Sequence, residues 1–142
     1  MSIRRLAAGL IAAALAVPAT SADGLTVTNA WSRSTPPVAT VGVVYFTLKN
    51  DSQKSDRLLK LSTSIADKAE VHRTEVLDGI ARMREVAVLH VDAGQALEFK
   101  PGDMHVMLIG LRKPLVAGQT YELKLLFEVA GPRTVQVSVR KD

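Results

Sequence analysis

The sequence predicts an all-β, single-domain sandwich of the Greek-key kind, and three observations carry that reading. No long stretch shows capped helical periodicity, nine short β-rich runs are separated by turn residues, and the clearest runs alternate apolar with polar side chains. Strands at this spacing in a domain of this size are the pattern of a two-layer β fold. No internal repeat, composition break or low-complexity linker divides the chain.

The runs fall at residues 25–29, 41–49, 57–61, 70–76, 80–89, 96–99, 105–111, 121–129 and 134–140. Pro36-Pro37 separates the first two, because proline removes a backbone donor and fixes φ. Asn50-Asp51-Ser52 closes the second. Asp78-Gly79 divides the fourth from the fifth, and Ala93-Gly94, Pro101-Gly102, Ala117-Gly118 and Gly131-Pro132 punctuate the rest. The sharpest alternation is Val135, Val137 and Val139 against Gln136, Ser138 and Arg140, a strand with one wet face. Tyr121, Leu123, Leu125 and Phe127 form a second stripe that Leu126 interrupts. The chain holds one Trp, two Tyr and three Phe, so Trp31 and Tyr45 are assigned to the core or its edge.

Residues 1–22 are set apart from the fold. Arg4 and Arg5 precede an apolar run at 6–17, followed by Pro18, Ala19, Thr20, Ser21 and Ala22. That run is shorter than the roughly 20 residues a membrane-spanning helix needs, and small residues at Thr20 and Ala22 suit cleavage before Asp23. The expectation is a secretory signal peptide, a mature domain at 23–142, and no stable membrane insertion after cleavage. With no cysteine behind the apolar run, lipid attachment there is excluded.

The formal net charge of +4 includes Arg4 and Arg5, so the expected mature chain carries about +2. No stretch clusters Lys or Arg with interleaved aromatics, which argues against nucleic-acid binding. Zero cysteines in an exported chain mean a domain held by its apolar core without disulfides.

His72, Met83, His105 and Met107 form the spacing H-x10-M-x21-H-x-M. Thioether is a poor donor for Mg²⁺, Ca²⁺ or Mn²⁺, and structural Zn²⁺ normally takes Cys, His or carboxylate, whereas Cu(I) accepts Met and His. In an oxidising compartment thiols would tend to pair as disulfides, while His and Met stay competent.

Strand parity brings these residues together in pairs. A two-residue turn at Asp78-Gly79 pairs Leu77 with Ile80, which sets Thr74 opposite Met83 and His72 opposite Glu85. His72 and Met83 then share a face as diagonal neighbours, roughly 7 to 8 Å apart at Cα. His105 and Met107 share a face of one strand at about 6.6 Å, with Met104, Val106 and Leu108 opposite them in the core. The expected result is a shallow site near the rim. His90 and Met104, by contrast, are assigned ordinary surface and core roles.

With these residues stated, the chain resembles the PCuAC family of periplasmic copper chaperones. The copper spacing matches that family's signature without gaps. So do Asn29-Ala30-Trp31 with Arg33 and Pro36-Pro37, Tyr45 through Asn50, Asp92-Ala93-Gly94, the run from Lys100 to Leu108, Gly110-Leu111, Lys113-Pro114-Leu115 and Phe127-Glu128. The resemblance spans essentially the whole mature chain. It implies a cupredoxin-like sandwich, a periplasmic location, and one Cu(I) per chain held by His72, Met83, His105 and Met107. It also implies a copper-accepting partner, such as cytochrome c oxidase subunit II with its CuA centre, or a Sco-type protein. Two features depart from some relatives: the sequence stops at Asp142 without a Met- and His-rich tail, and Arg73 stands where a second Met can follow the first His.

Two imidazoles and two thioethers are neutral, so a bound Cu(I) would keep its single positive charge in a filled coordination shell. Such a site suits holding metal, and an enzyme would usually keep a position open. The chain is therefore expected to be a non-enzymatic carrier and a monomer. A blue-copper electron carrier requires a Cys thiolate, which is absent. The alternative of another class is a secreted β-sandwich module binding a sugar or protein, with the His and Met residues structural.

Overall fold

The computed structural model describes residues 24–141, all of it strand, turn and loop. The predicted leader lies outside the described residues. In chain order the strands are β1 Leu25–Arg33, β2 Val41–Asn50, β3 Asp56–Ser62, β4 Ala66–Leu77 and β5 Ile80–Glu85. They continue with β6 Leu89–Val91, β7 Ala96–Glu98, β8 Met104–Leu111, β9 Thr120–Phe127 and β10 Gly131–Arg140.

Hydrogen-bonded neighbours run β5-β4-β8-β2-β1-β10-β9-β3-β6, and β7 adds to β2. Leu61 pairs with Ala69, so β3 also meets β4 and the ladder closes on itself. The closed ladder encloses one apolar core between its facing halves, the cupredoxin-like sandwich expected of the sequence. Every pairing is antiparallel except β1 with β10, where Trp31 lies beside Ser138. Sequence-distant strands are thus neighbours, as a Greek key requires.

The core follows the alternation. Leu123, Leu125 and Phe127 of β9 and Val137 and Val139 of β10 are buried, while Gln136, Ser138 and Arg140 face outward. Val44, Phe46 and Leu48 of β2 meet Val106 and Leu108 of β8, and Phe46 stacks on Phe99 at 4.3 Å. Trp31 and Tyr45 pack at 4.8 Å at the core edge, with the Arg140 guanidinium over the Trp31 ring.

The run expected at 80–89 divides. Pairing of β5 with β4 ends at Glu85, and the chain leaves the hairpin to pair Leu89 to Val91 with β3 instead. The cause is lateral: further along the same edge of β4 lies β3, where Leu61 pairs with Ala69, so β5 cannot continue there and Leu89 turns to β3 and is buried in the core.

Two polar groups hold the sandwich where strands turn. Buried Asp56 accepts from the backbone N–H groups of Arg57, Val129 and Ala130 at 2.7, 2.8 and 2.9 Å, tying β3 to the β9–β10 turn. The Ser32 hydroxyl, fully buried, is hydrogen-bonded to the Tyr121 hydroxyl.

Candidate metal centre

Asp78 and Gly79 both adopt positive φ, at 52° and 75°, the conformation of a tight type I′ turn. Leu77 faces Ile80, Thr74 faces Met83 and His72 faces Glu85, the register that the turn chemistry predicts. Asp and Gly tolerate left-handed φ, so this short segment sets its own pairing locally.

β4 also pairs with β8, and here His72 lies directly opposite His105, with Glu70 opposite Met107. Directly opposed residues on an antiparallel pair point to the same face. Glu70, His72, Met83, Glu85, His105 and Met107 therefore lie on one face of β5-β4-β8, while Val71, Met104 and Val106 fill the core on the other.

The imidazoles of His72 and His105 are tilted at 42° with centroids 5.9 Å apart. Each ring has one nitrogen engaged. His72 Nε2 lies 3.0 Å from the Glu70 carboxylate, and His105 Nδ1 lies 3.1 Å from the Asp103 carbonyl. The Asp103 carbonyl only accepts, so His105 Nδ1 carries the donated proton and the neutral ring leaves a lone pair on Nε2. At Glu70 the carboxylate likewise only accepts, so His72 Nε2 donates and, in the neutral ring, the lone pair lies on Nδ1. Those two atoms, His72 Nδ1 and His105 Nε2, are buried and have no hydrogen-bond partner. Leaving them so costs about 1 to 3 kcal/mol each, a cost that native interiors rarely carry without a use.

His105 is only 4% exposed, which corrects the expectation of a shallow site for that residue. β8 is flanked by β4 and β2, so the His72 ring and the Asp103 carbonyl close over its imidazole. Met83 is 59% exposed, on the other hand, because β5 ends the sheet. Met107 is half-buried one step from the histidine pair, beside Glu70, and Met83 lies one step to the other side, beside Thr74. The histidines are thus assembled together, and the two thioethers flank them from opposite ends. As expected, Met104 is buried core and His90 is an exposed strand residue.

Sequence reading passed over Glu70 and Asp103. Glu70 carried a usable signal, since it stands two residues before His72 on a strand and so shares its face. The Asp103 carbonyl carried none, because a backbone contact depends on how the turn before β8 folds. Among the described residues, no group of three or more His, Cys, Asp or Glu side chains is placed to hold a metal ion. The side chains that flank the histidine pair on this face include the thioethers of Met83 and Met107, donors suited to a soft cation. A surface cleft of about 370 Å³ beside the β3–β4 seam reaches Glu70 and Glu85 but none of the four His and Met residues.

The family model described as "Putative lipoprotein LpqE-like" matches residues 25–139, nearly all of the described fold. The chain belongs to the LpqE-like family. Its relatives include the lipoprotein-named Lxx21020 of Leifsonia xyli, 30% identical over 124 residues that cover 87% of this chain and 74% of the relative. Protein RP573 of Rickettsia prowazekii is 30% identical over 116 residues, 79% of this chain and 64% of that protein. The solution structures of apo-DR1885 and CuI-DR1885 from Deinococcus radiodurans are 28% and 29% identical, with TM-scores of 0.66 and 0.65. They cover 100% and 86% of this chain, which in turn covers 95% and 83% of them. The copper-bound PCuAC domain from PmoF2 shares the fold at a TM-score of 0.71 and 20% identity, over 84% of this chain and 94% of that domain. The sequence contains no cysteine.

Proposed function

We propose that this protein is an exported, non-enzymatic copper chaperone of the PCuAC type, carrying one Cu(I) on His72, Met83, His105 and Met107. The observation that carries the reading is the pair of buried, unpartnered nitrogens, His72 Nδ1 and His105 Nε2, on residues directly opposed across β4 and β8. Nitrogen lone pairs so placed fit a metal.

The residues divide the work. Glu70 and the Asp103 carbonyl fix the ring tautomers, so both histidines present a lone pair without rearrangement. The thioethers of Met83 and Met107 supply soft, adaptable donors, and Met83 must swing inward from its exposed position to join. Four neutral donors leave the ion its single charge, and the carboxylates of Glu70 and Glu85 on the same face favour a cation over an empty site. Release follows by ligand exchange, with Met83 and Met107 yielding first to a stronger thiolate of the acceptor. The acceptor we infer is a copper-binding protein such as cytochrome c oxidase subunit II or a Sco-type protein. The likeness to CuI-DR1885, a Cu(I)-loaded protein at 29% identity, supports copper as the cargo.

Competition for Cu(I) against a chromophoric chelator tests this reading. Wild type should withdraw one equivalent from the chelator, and His105→Ala and Met107→Ala should withdraw less. A wild type that fails to compete, or variants that compete equally well, would overturn the site. Export is checked separately by the N-terminus of protein recovered from the periplasm, which should begin at Asp23.

A further inference from the structure

The β4–β5 hairpin has two chemically different faces and an open edge. One face carries His72, Thr74, Met83 and Glu85. The other pairs Arg73 with Arg84 and Glu75 with Arg82, so three arginines stand against one glutamate, which the Arg84 guanidinium meets at 3.4 Å, and positive charge is in excess. All of β5 is exposed, and among the described residues it is the last strand of the sheet, with β4 as its sole partner. The hairpin tip adds exposed Val76, Leu77 and Ile80.

The register also fixes which backbone groups point outward. In a two-residue hairpin the residues flanking the turn, Leu77 and Ile80, exchange hydrogen bonds, and pairs then alternate along the ladder. Glu75 with Arg82 and Arg73 with Arg84 are therefore bonded pairs, and Thr74 with Met83 is not. Two observed bonds agree: the Thr74 N–H points away from β5 to the Asp103 carbonyl, and the Val86 N–H resumes bonding to Val71, one step beyond the unbonded His72–Glu85 pair. The N–H and C=O groups of Ala81, Met83 and Glu85 consequently face the open edge.

We propose that this edge docks the copper acceptor by strand addition, and that the partner segment is extended and acidic. The inference rests on the copper reading above. Added strands gain affinity from main-chain bonds and specificity from alternate side chains. Here one set of partner side chains meets Arg73, Arg82 and Arg84, which selects Asp or Glu. The other set lies on the Met83 face, so a partner residue bonded to the Met83 backbone places its side chain about 5.5 Å away at Cα. A Cys or Met there is positioned to replace Met83: the bond from copper to Met83 Sδ breaks as the bond to the partner's sulfur forms, and copper remains Cu(I). A second copy of β5 is disfavoured, because antiparallel self-pairing centred on Arg82 sets arginine against arginine.

The probe is a short capped peptide that alternates Glu with Val and Thr and carries Met at its centre, added to the metal-free protein. Amide exchange should slow at Ala81, Met83 and Glu85. Arg82→Glu with Arg84→Glu should weaken binding at least about tenfold and transfer preference to the Lys version of the peptide. Ala81→Pro removes one outward donor without touching the β4–β5 ladder and should weaken binding too. The Arg variants should keep wild-type Cu(I) competition. Protection located elsewhere, or peptide affinity unchanged by charge reversal, overturns the docking surface; failure of wild type to bind Cu(I) overturns the site and leaves the peptide result to stand alone.

Discussion

His72 and His105 face each other across β4 and β8 with ring centroids 5.9 Å apart, and each buries one nitrogen that nothing among the described residues satisfies. Their other nitrogens are bonded to Glu70 and to the Asp103 carbonyl. Orientation is thus fixed before any ligand arrives. The thioethers are arranged differently, on the periphery, and in the proposed function the histidines hold the ion while the methionines release it.

Ligand removal should follow that asymmetry. His72→Ala and His105→Ala should each lower Cu(I) affinity by more than about a hundredfold, beyond the loss typical of an outer partner. Met83→Leu should cost less in affinity and speed Cu(I) transfer to a competing chelator, measured by stopped-flow absorbance. An affinity loss at Met83 equal to that at His105 would contradict the division of roles.

Glu70 is expected to act through His72. Glu70→Ala should weaken Cu(I) binding by about 10- to 100-fold while leaving the unfolding midpoint almost unchanged. Glu70→Gln keeps an oxygen that accepts from His72 Nε2 and should recover most of the affinity. Equal losses in both variants would point to charge, and not orientation, as the contribution of Glu70.

Asp56 should matter for stability and not for copper. Asp56→Ala leaves the backbone donors of Arg57, Val129 and Ala130 without their acceptor, at a cost of about 3 kcal/mol in denaturant unfolding. Cu(I) affinity of the folded fraction should match wild type.

The alkaline limit should depend on Tyr121. Burial pushes its hydroxyl up from 10.0 to about 12, against a smaller opposing effect of the bond to Ser32. The folded state therefore holds this proton more tightly than the unfolded chain. That contribution is complete below pH 10 and is lost as pH rises through about 12. Tyr121→Phe should flatten the decline of stability over that window, followed as the unfolding midpoint against pH.

Two glycines should respond differently to alanine. At Gly110, with φ of 71°, an added Cβ would lie 2.4 Å from Asp67 Oδ2, so backbone strain and a displaced side chain combine to about 2 to 3 kcal/mol. At Gly79, with φ of 75°, the space is open and strain alone applies, about 1 kcal/mol. Thermal unfolding of both variants makes the comparison.

The sequence by itself determined whatever local chemistry governs. Asp78-Gly79 dictated a turn, the turn dictated the register of Thr74 with Met83, and alternation placed Val137 and Leu123 inside. Donor types alone pointed to a soft cation. The tertiary structure decided which strands became neighbours. Nothing near His72 specifies β8, because that pairing joins segments more than 30 residues apart and is selected by burial of Val71 and Val106 on the opposite face. From that one choice come the opposed imidazoles and the depth of His105, while Met83 stays exposed because β5 ends the sheet.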